Sequence, residues 1–447
     1  MKMRTRQEDK RGEIKILDIE SLMPSEHLLR KIDKIMDWTH IYDLTEKYYC
    51  EDNGRPSVDP VVLVKIAFLQ HLYGIVSLRK TIAEIDVNIA YRWFLHFNLD
   101  TSIPHFATVS YAFATRFPSE LFQEIFSWVL DTAVSKKLVK AETIFMDATH
   151  IKANASKKKK YKAQATVTAR TYDDKLREEI NADRVWHGKK PLKPLPETEP
   201  VTKEVVKSVT DPDCGMFHKG EHKVEFAYTA HTVCDEEGFI LESDVSPANV
   251  HDSTMFDELY HNTIEKFEEV ERVGIDSAYR TPWIMKQIFD SERLPSVPYK
   301  SPMTKDVFFK KYEYVYDEHF DCVICPANQV LSYSTTNRDG YREYKSKPYI
   351  CKSCPHLSRC TESKQHQKSV LIHIWADYID RAEDVRHSPK GKATYAMRKE
   401  TIERVFADAK EKHSMRYTFI RGLDRVRNWV RLKFAAMNLK KLAVWAN

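Results

Sequence analysis

Apolar residues recur at helical spacing from residue 16 to about residue 135. The predicted helices contain the segments PSEHLLRKIDKIMDW, DPVVLVKIAFLQHLYG, SLRKTIAEIDVNIAYRWFLHF, FATVSYAFATRF and ELFQEIFSWVLDTAVSKKL. Asp59 with Pro60, and Ser77, stand where helices begin, because short polar side chains cap free amide groups and proline fits the first turn. The pattern therefore predicts an all-helical N-terminal domain over residues 1–138.

Two uses of this domain fit its sequence equally well. Its short helices carry basic residues, among them Arg79, Lys80 and Arg92, which suit a helix-turn-helix DNA reader. A helical domain for packing or dimerisation would show the same pattern.

Beyond residue 138 the pattern becomes strand-like. Apolar strand character appears in AETIFMDATH, VEFAYTAHTVCD, GFILESDVS and ERVGID, with a helix over HDSTMFDELYHNTIEKFEEV before the last strand. The turn-like segment 235–238 predicts that the second and third strands form a hairpin. The first strand is expected to end on Asp147 and the last on Asp276. This order of elements predicts an α/β core with a mixed sheet flanked by helices.

The α/β domain is predicted in two parts with an insertion between them. Residues 139–300 form the first part and include a charged, proline-containing excursion over 157–210, whose KKKK run at 157–160 is more typical of a solvated segment than of a phosphate contact. Residues 301–370 form a small cysteine-rich insertion. Residues 371–447 complete the α/β domain with basic helices.

A helix with one apolar face is predicted in TIERVFADAKEKHSMRYT. Its apolar positions recur at i, i+3, i+4 and i+7, at Ile402, Val405, Phe406 and Ala409. Glu403 and Lys410 are seven residues apart, so two helical turns place them on the same edge of the apolar face.

Positive charge concentrates in the same region. Residues 395–447 contain 13 Lys and Arg against 5 Asp and Glu, a net charge of +8, whereas the whole chain carries +5. A basic region of this kind suits a phosphate backbone. The arginines of this basic tail that are expected to follow backbone phosphates are Arg416, Arg421, Arg425, Arg427 and Arg431.

Composition describes an ordinary globular chain of several structural units, since 42% of its 447 residues are hydrophobic and 30% are charged. The polar N-terminus lacks a secretory signal. The longest apolar run, 61–76, contains Lys65 and His71 and is too short to span a membrane. We therefore expect a cytoplasmic protein with no membrane partner.

Three separated carboxylates suggest the chemistry. Asp147 and Asp276 follow strands and Glu403 lies on a later helix, and their spacings of 129 and 127 residues define no site alone. Hard oxygen ligands suit Mg²⁺ or Mn²⁺. Two such ions can activate a water or a 3′-hydroxyl and stabilise the leaving oxygen of a phosphodiester.

Several blocks resemble bacterial insertion-sequence transposases of the DDE class. They are MDATHIKANASKKKK, SPANVHDSTMFDEL, VGIDSAYRT and RKETIERVFADAKEKHSMRYTFIRGLDRVRNWVRLKFAAMNLKKLA, and GRPSVDPVVLVKIAFLQHLYGIVSLRKTIAEI resembles the helical N-terminal domain of that group. The resemblance implies an RNase H-like fold and a catalytic, metal-binding triad of Asp147, Asp276 and Glu403. It also implies double-stranded DNA as partner, a homodimer that handles both transposon ends, and a nucleoid-associated location.

The resemblance further implies a signature of Tyr395, Arg398, Glu403 and Lys410 around the third acid, in which Lys410 holds a phosphate of the transposon end. Many relatives have three residues between the Arg and the Glu, whereas this chain has four, so Lys399 is a rival for the Arg398 position. The six residues between Glu403 and Lys410 match the family. The residues expected to bind DNA are Tyr395, Arg398, Lys410, Arg416 and Arg421.

Other acids are weaker candidates. Glu142 begins the first strand, Asp408 points about 140° away from Glu403 on the helix, and Glu400 lies outside the apolar margin. In the NVHDS block, His251 and Asp252 are possible neighbours of the active site. We prefer a capping or dipole role for Asp252 at the start of its helix.

Five cysteines lie within 39 residues. Two CxxC pairs predict a structural zinc ribbon with the ligands Cys322, Cys325, Cys351 and Cys354. Cys360 and His356 are further possible ligands, and reduced thiols without metal are the alternative.

The sequence thus predicts a DNA transposase that binds terminal repeats, cleaves phosphodiester bonds with divalent metal ions and joins 3′-hydroxyls to target DNA. A catalytically inactive, transposase-derived DNA-binding protein is one alternative, and a metal-dependent nuclease without strand transfer is another. A purely structural interpretation would make the three acids ion-pair partners.

Overall fold

The computed structural model describes residues 16–50, 57–166, 172–193, 202–219, 223–301 and 304–446. The polar N-terminal segment and parts of the charged excursion lie outside these residues. Two compact units divide the chain: the first comprises 1–139, 407–420 and 424–447, and the second comprises 140–406 and 421–423.

The N-terminal part of the first unit is helical, as predicted. Its helices α1 to α8 are Ile19–Leu22, Leu28–Ile35, His40–Thr45, Pro60–Leu72, Leu78–Val87, Ile89–Phe94, Phe106–Tyr111 and Ser119–Ser135. The side chain of Asp59 accepts hydrogen bonds from the amides of Val61 and Val62, and Ser77 accepts one from the amide of Lys80. Both predicted helix starts are therefore confirmed.

The last helices of the chain divide differently from the predicted domains. Helix α15, Ile402–Glu411, begins in the second unit and ends in the first, and α16, Leu423–Trp445, lies almost wholly in the first. His413 Nδ1 lies 2.7 Å from the carbonyl oxygen of His71, and Ser414 donates a hydrogen bond to the carbonyl of Gly74. The C-terminal segment belongs to the first unit because α16 is buried against the N-terminal helices, even though the chain reaches it from the α/β part.

The second unit has a mixed six-stranded sheet. Its strands are β1 (Thr143–Lys152), β4 (Gly215–Lys219), β5 (Lys223–Cys234), β6 (Ile240–Pro247), β7 (Arg272–Ile275) and β8 (Leu294–Ser296). The order is β4-β5-β1-β7-β8, with β6 also paired to β5. Strands β5 and β6 form the predicted antiparallel hairpin, β5 is antiparallel to β1, and β7 and β8 run parallel to β1.

The charged excursion is more ordered than predicted. In its described residues, β2 (Lys160–Thr166) pairs with β3 (Thr202–Ser208), and helix α9 (Asp173–Trp186) lies between them in sequence. Leu176 and Ile180 of α9 are buried against Trp375. An apolar face among the charges explains this helix, although the lysines of the KKKK run are exposed, as expected for a solvated segment.

The cysteine-rich segment forms a separate antiparallel sheet in the order β13-β12-β11-β10-β9. These strands are β9 (Val315–Asp317), β10 (Cys322–Ile324), β11 (Val330–Thr336), β12 (Tyr341–Lys345) and β13 (Ser369–His373). The remaining helices of the unit are α10 (Phe256–Lys266), α11 (Pro282–Asp290), α12 (Pro348–Cys351), α13 (Ala376–His387) and α14 (Pro389–Met397). Over the described ranges, no helix combines the length and apolar character needed to cross a membrane.

Candidate active site

Two of the predicted catalytic acids meet at one edge of the mixed sheet. Met146 on β1 pairs with Ile275 on β7 in the last register of this parallel pair, and Asp147 and Asp276 are the next residues on their chains. Strand β1 itself continues to Lys152, because β5 still pairs with it there. The expectation that the strand ends at Asp147 was therefore wrong, and only its pairing with β7 ends there.

Asp276 is held by a local turn. It is the N-cap of a short 3₁₀ helix, Ser277–Tyr279, and its carboxylate accepts a hydrogen bond from the amide of Ser277. Asp147 Oδ1 accepts a 2.8 Å hydrogen bond from the amide of Ala148. Each carboxylate is thus oriented by the backbone that immediately follows it.

Arg398 is the cation of this cluster. Its Nη2 donates to Asp147 Oδ2 at 2.5 Å, and its side chain is only 6% exposed. The aromatic ring of Tyr395 lies 5.6 Å from the guanidinium carbon. Lys399, the rival, is exposed. The structure thus places Arg398, rather than Lys399, beside the aspartates.

Burial raises the pKa of Asp147 to about 6, and the charges of Asp276 and Asp252 act in the same direction. Arg398 and the amide of Ala148 oppose this shift. The cluster therefore contains three carboxylates, Asp147, Asp276 and Asp252, and one guanidinium, that of Arg398. Such an excess of negative charge in a largely buried site favours a bound cation.

Asp252 is a third carboxylate that the sequence argument placed in a different role. It lies in a short 3₁₀ helix, Asp252–Met255, but the N-cap is His251, whose side chain accepts from the amide of Ser253. The capping part of the expected role is therefore wrong, because His251 takes the N-cap position, whereas Asp252 does lie in the first turn, where a dipole role places an acid. Burial raises the pKa of Asp252, His251 lowers it, and the nearby Asp276 raises it further.

A buried histidine lies behind this carboxylate. His231 Nδ1 is 4.0 Å from Asp252 Oδ1, and His231 Nε2 lies 2.8 Å from Ser246 Oγ. Burial lowers the pKa of His231 to about 4, so the ring is neutral near pH 7. Its β5 position faces Ala148 across the β1–β5 pair, a long-range pairing with no local sequence signal.

Tyr279 completes the cluster. It is fully buried, and its hydroxyl has no hydrogen-bond partner among the described residues. Burial raises its pKa well above the usual value, and Asp252, Asp147 and Asp276 act in the same direction. The hydroxyl therefore stays protonated. Its only sequence signal is its place three residues after Asp276.

The third predicted acid is not brought into this cluster. Glu403 lies in the first turn of α15 with an exposed side chain, and within the described part of the chain it forms no hydrogen bond or ion pair with Asp147 or Asp276. Its amide donates to the carbonyl of Arg398 at 3.2 Å. Its backbone is therefore attached to the residue that holds Asp147, while its side chain is exposed.

The weaker acids stay outside the cluster. Glu142 is exposed just before β1, Glu400 pairs with Arg404, and Asp408 pairs with Lys412 at 2.8 Å.

The predicted DNA contacts occupy different environments. Lys410 is half-buried in the last turn of α15, and the exposed Arg416 forms an ion pair with Glu411. Arg421 donates to the carbonyl of Asn154 at 3.0 Å.

The acids of this site have the ligand chemistry that divalent ions require, but their side chains are not arranged around an ion. In the described ranges, no group of three His, Cys, Asp or Glu side chains is already arranged to hold a metal. Asp147, Asp276 and Asp252 nevertheless offer the hard carboxylate oxygens that Mg²⁺ and Mn²⁺ prefer.

The cysteines group differently from the predicted zinc ligands. One cavity of the second unit is lined by four cysteines together with His356: Cys325, Cys351, Cys354 and Cys360. Cys322 is not among its lining residues. Of the predicted zinc ligands, the cavity thus includes Cys325, Cys351 and Cys354, and its fourth cysteine is Cys360, one of the further possible ligands.

Two known families match separate parts of the chain. Residues 17–115 match a family described as Transposase domain (DUF772), and residues 324–443 match one described as Transposase DDE domain. The second match includes Glu403 and Lys410 and begins after the two aspartates. No curated protein and no solved structure matches the chain. Both matches are to transposase domains, and together they support an insertion-sequence transposase of the DDE class.

Proposed function

We propose that this transposase binds the terminal inverted repeats of its own insertion sequence, cleaves the DNA there and joins the freed 3′-hydroxyls to target DNA. The observation that carries the proposal is the adjacency of Asp147 and Asp276 at the last register of the β1–β7 pair. Two carboxylates at neighbouring parallel strands, beside a buried cation, suit metal-assisted phosphodiester chemistry.

The proposal includes an RNase H-like fold for the second unit. Its support is the strand path β6-β5-β1-β7-β8, in which three antiparallel strands are followed by two that run parallel to β1. This path brings together the residues that follow the last β1–β7 pair. These residues are the two aspartates.

Asp147, Asp276 and Glu403 would hold Mg²⁺ or Mn²⁺. When bound, the ions supply activation of a water or 3′-hydroxyl and stabilisation of the leaving oxygen. Glu403 is retained because its amide is bonded to Arg398, which itself contacts Asp147. Asp252 is a further acid of the cluster, and Tyr279 offers a protonated hydroxyl to the carboxylates.

The DNA backbone would be contacted by basic side chains of the C-terminal region. Lys410, Arg416 and Arg421 are the proposed phosphate contacts. Arg398, buried on Asp147, is better placed to hold that carboxylate than to reach a phosphate, and the ring of Tyr395 supports it. A homodimer is proposed because two transposon ends must be processed together.

The test is Mn²⁺-dependent cleavage of a labelled duplex that carries the element's own end. Wild type should cut it, whereas Asp147→Asn, Asp276→Asn and Glu403→Gln should bind the duplex with unchanged affinity and fail to cut. Glu400→Gln is a matched control, because Glu400 is an exposed acid three residues before Glu403. Cleavage by the Asp147 and Asp276 variants would overturn the site.

Strand transfer needs its own measurement. A duplex with a free 3′-hydroxyl end is incubated with target plasmid, and joined product is expected. Cleavage without joining would identify a metal-dependent nuclease. Binding without cleavage would identify a transposase-derived DNA-binding protein. Cleavage that stops in the Glu403 variant assigns the third acid to α15, whereas unchanged cleavage there would leave Asp252 as the third acid.

A further inference from the structure

Four cysteines of the second unit surround one cavity under the five-stranded sheet. They come from two short segments: Cys325 directly follows β10, and Cys351, Cys354 and Cys360 lie within and after α12. All four are partly buried and none is in a disulfide. We propose that these four thiolates form a structural zinc site.

Tight backbone turns present the thiols to the cavity. The carbonyl of Cys325 accepts a 2.8 Å hydrogen bond from the amide of Asn328, whose φ of 55° is left-handed. The amide of Cys354 donates to the carbonyl of Cys351 at 3.0 Å, and the amide of Cys360 donates to that of Leu357 at 3.0 Å. Cysteines on consecutive tight turns are the usual carriers of a tetrahedral thiolate site.

Cys360 has two polar neighbours. Tyr314 Oη lies 3.4 Å from Cys360 Sγ, within hydrogen-bonding distance. Lys368 donates to the carbonyl of Cys360 at 3.0 Å, which places a cation beside the cluster.

The direction of strand β10 excludes Cys322. Successive side chains of a strand point to opposite faces. Val323 is 1% exposed and belongs to the core of this sheet, and Cys325, two residues later, packs on the same core. Cys322 therefore points to the other face, where Asp317 and Asp321 raise its pKa in addition to burial.

Zinc binding requires only a local adjustment. The sulfurs as they stand form no group of three placed to hold an ion among the described residues. A cysteine side chain has a single heavy-atom torsion, so rotation about Cα–Cβ can bring a sulfur to the Zn–S distance of about 2.3 Å. Bound zinc would hold the α12 segment against the sheet, a stabilising role that does not depend on the proposed chemistry with DNA.

The experiment measures metal in the full-length protein purified from medium with added zinc. We expect about one zinc ion per chain by elemental analysis. Cys325→Ser and Cys360→Ser should each lose most of this zinc. Cys322→Ser and His356→Gln are matched controls and should keep it, since Cys322 lies outside the cavity and His356 lines it without being a proposed ligand.

Cobalt gives a readout independent of zinc content. Reconstitution of the chelator-treated protein with Co²⁺ should produce thiolate-to-metal charge-transfer and tetrahedral d–d absorption in wild type and in Cys322→Ser. Both bands should be missing in Cys360→Ser. Wild type without stoichiometric zinc, or equal loss in the Cys322 variant, would overturn the proposal. Loss in His356→Gln with retention in Cys360→Ser would overturn the four-thiolate ligand set.

Discussion

A buried lysine in the first unit allows a quantitative prediction. Lys433 on α16 is 2% exposed, its Nζ donates to the carbonyl of His413, and it lies 4.4 Å from the ring centroid of Trp429. Burial lowers the pKa of Lys433 from 10.5 to about 7. The folded chain therefore releases this proton at a lower pH than the unfolded chain does.

The sign and the size follow from proton linkage. Between pH 7 and pH 10.5 the unfolded state binds more protons than the folded state at this side chain, so its contribution to the free energy of unfolding rises with pH. One proton gives a slope of about 1.4 kcal/mol per pH unit. Allowing for half-titration near pH 7, Lys433 should add about 2 kcal/mol of stability between pH 7 and pH 9.

The perturbation is Lys433→Met, which keeps the length of the side chain and removes the charge. Urea unfolding monitored by tryptophan fluorescence at pH 7 and pH 9 measures the free energy of unfolding. The difference between wild type and variant should change by about 2 kcal/mol between the two pH values. The hydrogen bond to His413 is lost at both pH values and largely cancels from this comparison.

Lys80→Met, an exposed lysine on α5 in the same unit, is the control and should run parallel to wild type. Parallel curves for wild type and Lys433→Met would refute the reasoning, because they would mean that Lys433 remains charged and solvated in the folded chain. In that case the C-terminal helix would not be buried on the N-terminal helices as described.

Three further predictions concern the carboxylate cluster. Asp252→Asn should reduce Mn²⁺-dependent DNA cleavage by about 10- to 100-fold and retain DNA binding, as is usual for residues that support metal ligands. The control is Glu258→Gln, which changes an exposed acid on α10 and should cleave normally. Equal activity of the two variants would contradict the placement of Asp252. Arg398→Met removes the cation that opposes the raised pKa of Asp147. An NMR titration of the Asp147 carboxyl in this variant should therefore give a pKa above about 6, and a lower value would show that Arg398 does not stabilise the ionised form. The control Lys399→Met should leave the titration of Asp147 unchanged. Tyr279→Phe removes a buried hydroxyl that has no hydrogen-bond partner among the described residues. The free energy of unfolding should therefore not fall, since an unsatisfied polar group costs about 1–3 kcal/mol, while cleavage should drop several-fold. A loss of stability with normal cleavage would show that the hydroxyl is structural.

Local patterns predicted much of the architecture. The helix starts at Asp59 and Ser77 depend on side chains and amides only a few residues apart, and both caps form. The hairpin of β5 and β6 depends on two apolar runs and the turn at 235–238, and it pairs as expected. The apolar face of α15 is buried, and its spacing is a property of the helix alone.

Part of the candidate site was also readable from the sequence. Asp147 and Asp276 each follow an apolar run, and parallel pairing of their strands makes them neighbours. Asp252 was named only as a possible neighbour and Tyr279 was not recognised, because their roles depend on which side chains of distant segments face them. Arg398 contacts Asp147 across 251 residues of sequence, and no spacing rule predicts that ion pair.

The sequence by itself determined the periodicities, the turn residues and the chemical types of the side chains, because these depend on neighbours within a few positions. The tertiary structure decided which of those side chains meet. It joined α16 to the N-terminal helices, left Glu403 exposed, and grouped Cys360, rather than Cys322, with three other cysteines around one cavity. The physical reason is that the removal of apolar surface from water is favourable whatever the sequence separation of the residues involved. Long-range packing therefore assembles a site from residues that are distant in sequence.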